Sequence, residues 1–158
     1  MFRELTRIKN KLSDEACIRI LTNEKRGVLS VNGDGGYPYA MPMNHFYNPD
    51  DGAIYFHCGK KGHRLDSLKK DGRASFCVYD GGYKKDGEWA LNIGSVIVFG
   101  IIEIINEPSV IADISEKLSL KFTNDAEYIR SEIKNFAANT LILKLKPENI
   151  CGKLVNES

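Results

Sequence analysis

The chain has 158 residues and nearly balanced charge, 22 Lys+Arg against 21 Asp+Glu, for a net charge of +1. That length suits one domain with a real core, or one subunit of a dimer. The balance removes the global field that nucleic acid or an anionic membrane would respond to, so only local charge clusters carry meaning. Four cysteines, Cys17, Cys58, Cys77 and Cys151, form no Cys-x-x-Cys pair and no metal-ligand spacing with the three histidines. A reduced, cytoplasmic protein without a metal site is the expectation. Residues 1–7 lack the apolar core of a signal peptide, and no apolar run is long enough to span a bilayer.

In chain order, Ser13 is placed to cap a helix with Ala16, Cys17, Ile20 and Leu21 on one face. Residues 27–31 read as a short strand, and the turn cluster 32–36 predicts a hairpin into the strand Tyr37 to Tyr47. Pro38 and Pro42 remove ladder donors, which points to a sheet edge or a bulge. The loop 80–87 is polar and glycine-containing, a candidate mobile flap, with Lys84 and Lys85 solvated and Trp89 packing at its exit. Residues 95–105 are apolar on nearly both faces, as in a strand that is central or covered by a second subunit. Gly100 interrupts it and predicts a bend or a close backbone approach. Two helical patterns follow, Val110, Ile111, Ile114, Leu118 and then Tyr128, Ile129, Ile133, Phe136. The last strand runs Thr140 to Lys146, with Pro147 expected to end it. Short strands joined by turns, with a few helices, give a small β-barrel with peripheral helices in a single domain over residues 1–158.

The stretch Ala53 to Tyr79 organises the rest. Ile54, Phe56 and Cys58 alternate with Tyr55 and His57, the pattern of a half-buried strand. Gly59 and Gly62 break it and free the backbone for positive φ. Lys60, Lys61, His63 and Arg64 follow, then the helix-like Leu65 and Leu68. Backbone N–H groups of a glycine turn and a helix start, beside fixed cations, suit an anion such as a phosphate. His57 would stand at the mouth of that site. Met41 and Met43 on one strand face read by themselves as plain core rather than a cofactor platform, and His45, on the same face, as a satisfied structural histidine.

Three segments together, residues 37–47, 54–65 and 94–100, resemble the pyridoxamine 5′-phosphate oxidase-like superfamily, and within it the nitroimidazole-resistance (Nim) related flavoproteins. The resemblance covers residues 15–146. It implies a mainly β fold with peripheral helices (α+β), a split β-barrel of the FMN-binding type, assembled as a homodimer with the flavin pocket at its interface.

By the same resemblance, Met41, Pro42, Met43 and Asn44 would lie along the isoalloxazine ring. Lys61, Gly62, His63 and Arg64 would hold the ribityl phosphate, and Ser95 and Val96 would complete the pocket, from the partner subunit. His57 would sit close to flavin and substrate as the catalytic residue. The implied activity is an FMN-dependent reductase passing electrons from reduced FMN to a small (nitro)aromatic or similar acceptor, with no nucleic-acid or membrane partner. Two other readings stay open: a non-enzymatic flavin-binding or sensing module, and a related split barrel using haem or a deazaflavin. The chain ends in Gly152-Lys-Leu-Val-Asn-Glu-Ser, with no arginine there, which argues against pyridoxamine-phosphate oxidation.

Overall fold

The computed structural model describes residues 2–157. Helix α1 (Asp14–Asn23) starts where Ser13 accepts a hydrogen bond from the Ala16 N–H, with Asp14 and Glu15 in the positive first turn. It buries Cys17, Ile20 and Leu21. Strands β1 (Arg26–Asn32), β2 (Pro38–Asn44), β3 (Phe46–Tyr47), β4 (Ile54–Gly59), β5 (Arg73–Tyr79), β6 (Tyr83–Lys84), β7 (Leu91–Ile105) and β8 (Thr140–Asn156) form one antiparallel sheet in the order β2-β1-β5-β7-β8-β4-β3, with β6 beside β7. Helix α2 (His63–Lys70) joins β4 to β5, and α3 (Pro108–Leu120) and α4 (Ala126–Phe136) lie between β7 and β8.

The predicted strand 37–47 is in fact two strands, separated by His45 alone. They sit at opposite ends of the strand order, so the sheet curls until its edges approach each other at that residue. This is a split barrel. The proline-bearing strand β2 is a terminal one, where a missing donor on the open side costs no ladder bond.

His45 is fully buried at the turning point, and its Nε2 donates to the Leu21 carbonyl at 2.8 Å. Lys121 donates to the Glu24 carbonyl at 2.5 Å, so two side chains satisfy carbonyls at the C-terminus of α1. The structural role expected for His45 holds, but only one of its nitrogens is satisfied: Nδ1 is buried without a partner among the described residues. Its ring meets Phe76 edge-on at 4.9 Å, and Phe76 meets Phe56 at 5.0 Å. Around this trio pack Leu29, Val96, Val98, Leu143 and Leu145, all fully buried. A smaller core of Ala53, Tyr55, Ile111, Ile114 and Ile142 lies under α3.

The last strand does not stop at Pro147 but continues to Asn156. Phe99 faces Asn149 and Gly100 faces Pro147, leaving Glu148 as the extra residue of a bulge. A bulge releases one residue from the ladder, which is how the proline is accommodated in mid-strand. Gly100 provides the close approach: a Cβ there would overlap the Lys146 carbonyl oxygen and stand 3.1 Å from the Pro147 Cα. Gly100→Ala is therefore expected to destabilise the protein by about 1–3 kcal/mol in denaturant titration, the range for an overpacked interior. An unchanged midpoint would show that the two backbones can separate without cost.

Strand β7 is central, as its apolar character predicts, yet only its inward half is covered. Val28, Ile97, Phe99 and Ile101, with Tyr79, stand on the outward face, each between 38 and 62% exposed. Two expectations for the 80s fail. The polar loop is tied down rather than free: Asp80 accepts from the N–H groups of Gly82 and Gly94, both at 2.9 Å, and Tyr83 and Lys84 pair with β7. Trp89 packs on nothing substantial and is 72% exposed. Among the described residues no helix is long and apolar enough to cross a membrane.

Candidate functional site

The glycine turn after β4 behaves as its sequence demands at one of its two glycines. Gly62 has φ 126° and ψ 165°, a conformation essentially closed to other residues, and it sets the start of α2. Gly59 takes no positive φ and simply ends β4. The turn places Lys61, Gly62, His63 and Arg64 around a cavity of about 160 Å³, with Met41 and Tyr39 of β2 as the facing wall.

Arg64 is the unusual member. Its Nη1 donates to the Met43 Sδ at 2.8 Å, and it lies beside the Cys58 thiol, whose pKa burial raises and Arg64 opposes. Sulfur is a weak acceptor. The Arg64 Nε is buried without any partner among the described residues. No ion pair joins Lys60, Lys61 or Arg64 to a carboxylate among those residues. A guanidinium held this way lacks the anion that normally accompanies a buried charge.

His63 is differently engaged. Its Nε2 lies 3.4 Å from both the backbone N and Oδ2 of Asp34, and its ring stacks on Tyr39 at 4.2 Å. Lys70 shares Asp34 at 2.9 Å, and its ammonium is the main cause holding the exposed Asp34 carboxyl below its usual range. His63 thus braces the turn against the β1–β2 hairpin. Neither Tyr39 nor Asp34 was expected at the site, although Tyr39 has the same strand phase as Met41 and could have been inferred.

The four β2 residues divide as strand alternation requires. Met41 lines the cavity and Met43 is buried against Arg64, while Pro42 faces the opposite side with Val28 and Tyr79, and Asn44 is half-buried. Ser95 and Val96 do not line this cavity. Val96 is fully buried in the core, and Ser95 lies on the outward face, donating to the Lys153 carbonyl at 3.3 Å.

His57 also departs from the expected arrangement. It faces away from the core, as its strand phase dictates, into a separate and larger cavity of about 460 Å³ between β4 and the helices α3 and α4. Part of the ring is open to solvent, but protein crowds the remainder. That crowding, and secondarily the Arg64 guanidinium, lowers its pKa below the usual 6.5. Arg64 is therefore electrostatically coupled to both places. The other walls of this cavity include Ser119, Tyr128, Glu132 and Phe136, none of which the sequence singled out as functional.

A family model described as pyridoxamine 5′-phosphate oxidase matches residues 13–154. No curated protein shows significant sequence similarity to the chain. Among solved structures, a conserved hypothetical protein of Mycobacterium tuberculosis superposes with a TM-score of 0.80 at 17% identity, covering 95% of this chain and 90% of that one. A candidate 5-nitroimidazole antibiotic resistance protein of Bacteroides thetaiotaomicron gives 0.76 at 17% identity, covering 92 and 87%. A FAD-binding protein of Mesorhizobium loti gives 0.68 at 20% identity, covering 92 and 96%. At these identities the structural likenesses speak to the fold, and the family match spans most of the sequence. With its split barrel and the basic turn after β4, the chain belongs to the pyridoxamine 5′-phosphate oxidase family.

Proposed function

We propose that the protein is an FMN-binding flavoprotein that passes electrons to a small aromatic acceptor. The observation that carries this reading is Arg64, a half-buried guanidinium with sulfur neighbours and, among the described residues, an orphaned Nε and no carboxylate partner. A phosphate monoester would supply the missing counter-charge and accept from the guanidinium in the planar, forked geometry that arginine offers. Lys61 and the backbone N–H groups at the start of α2 add to the same pole. These groups fit the terminal phosphate of FMN, and the open edge of β2 fits the polar rim of its ring system.

When bound, the flavin supplies the electron transfer. The chain's own residues do the rest. Arg64 and Lys61 anchor the phosphate, His63 keeps the turn in place through Asp34 and Tyr39, and the β2 backbone orients the ring. His57, whose pKa lies below 6.5, offers the acceptor an N–H when neutral and a proton when it is charged at lower pH. The likeness to the candidate nitroimidazole-resistance protein supports a nitroaromatic as the first acceptor to try.

The flavin pocket in this reading is shared between two copies in a cytoplasmic homodimer. A cavity of about 160 Å³ falls short of the ~300–1,000 Å³ that encloses most such ligands. The outward face carrying Tyr79, Ile97 and Phe99 also holds Ser95, so a second copy seated there would bring Ser95 and its neighbours towards a ligand.

Arg64→Ala tests the reading. FMN affinity, measured by quenching of flavin fluorescence, should fall by about 1.5–3 kcal/mol, roughly ten- to a hundredfold. Thermal stability of the ligand-free protein should hold or rise, because an unpaired half-buried charge has been removed. Unchanged affinity would reduce the basic turn to solvated surface.

A further inference from the structure

The cavity at His57 has a chemistry of its own. Its volume of about 460 Å³ lies within the range of small-ligand sites. Tyr128, Ile133 and Phe136 of α4 supply an apolar, largely aromatic wall, and Tyr128 and Phe136 are each 56% exposed. Helix α4 has a clear apolar face, yet Ile129 is its only buried residue among those described, so most of that face lines open space.

On α3, Ser115 and Ser119, four residues apart, place two hydroxyls on one side of the same space. Glu132 is the polar member of α4 and forms no ion pair among the described residues. With His57 neutral at pH 7, the lining carries one formal charge, and it is negative. The cation that acts on His57, Arg64, lines the other cavity.

We propose that this chamber is the acceptor subsite, and that Glu132 selects a small aromatic molecule bearing a cationic or N–H-rich nitrogen group over an anionic aromatic one. The ring would lie against Tyr128 and Phe136, the nitrogen group would donate to the Glu132 carboxylate, and the far side of the molecule would reach His57. The assignment of the chamber to an acceptor rests on the flavin reading above; the preference for a cation over an anion does not.

The test is calorimetric titration of the full chain, with and without FMN, using benzamidinium and benzoate as probes of matched shape and opposite charge. Benzamidinium should bind at least about tenfold more tightly than benzoate, the scale of one charge-assisted hydrogen bond. Glu132→Gln should remove most of that preference, and Glu132→Lys should reverse it. Glu132 is only half-buried, so both variants are expected to fold. Benzoate binding as well as benzamidinium, no binding of either, or a preference indifferent to Glu132 would overturn the proposal. A protein that binds benzamidinium through Glu132 but never binds FMN would retain the chamber's selectivity and sink the flavin reading. One that binds FMN but not benzamidinium would do the opposite.

Discussion

His57→Ala should leave FMN bound and lower the rate of nitroaromatic reduction by about 10²–10⁴-fold, the span of a single general acid. The ring does not line the cavity of the basic turn, so its removal should not touch the phosphate anchor. The pH profile separates a chemical role from a structural one. Burial, with Arg64 behind it, depresses the His57 pKa, so the imidazolium becomes abundant only below the usual 6.5. Turnover of the native protein should accordingly rise as pH falls below that value, and His57→Ala should abolish the rise. Phosphate bound at Arg64 offsets the repulsion of the imidazolium, so the His57 pKa, followed by NMR, should move upward when inorganic phosphate or FMN is added. Equal rates in variant and native protein would make the histidine a spectator.

Acidification should unfold the protein through His45. Burial, reinforced by the Lys121 charge, lowers its pKa from 6.5 to about 4, against a weaker opposing effect of its bond to Leu21. The unfolded chain then binds a proton between these values that the folded chain refuses. Stability present above pH 6.5 is lost as pH falls towards 4, amounting to about 3 kcal/mol over the window. His57, also depressed, acts in the same direction. His45→Gln keeps a donor for the Leu21 carbonyl without the titration, and should flatten much of the slope in urea titrations at stepped pH. An identical slope would place the acid sensitivity elsewhere.

What could be read from residues and what could not follows the range of the forces involved. The Ser13 cap, the edge character imposed by Pro38 and Pro42, and the close contact at Gly100 are local rules, and the fold obeys each of them. Pro147 misled because a bulge depends on register with a strand distant in sequence, where Gly100 faces it, which no local pattern reports. His45 could not be seen as the point where the sheet turns from one edge to the other, since its apolar neighbours look like one continuous strand.

The site shows the same limit. Alternation along β4 already separates His57 from Cys58, but it cannot say that α3 and α4 arrive on the His57 side. Nor could composition reveal that His63, inside a basic cluster, is committed to Asp34 while Arg64 is left without a carboxylate. Trp89 was expected to pack because tryptophan usually does. It is exposed instead, as is the outward face of β7.

The most direct measurement is the visible spectrum of the protein purified from a flavin-replete host and passed through a sizing column. Yellow flavin absorption should travel with a dimer, FMN should be released on denaturation, and the colour should bleach on addition of a nicotinamide donor. A colourless protein that takes up no FMN when titrated would contradict it, and a yellow monomer would contradict the shared pocket.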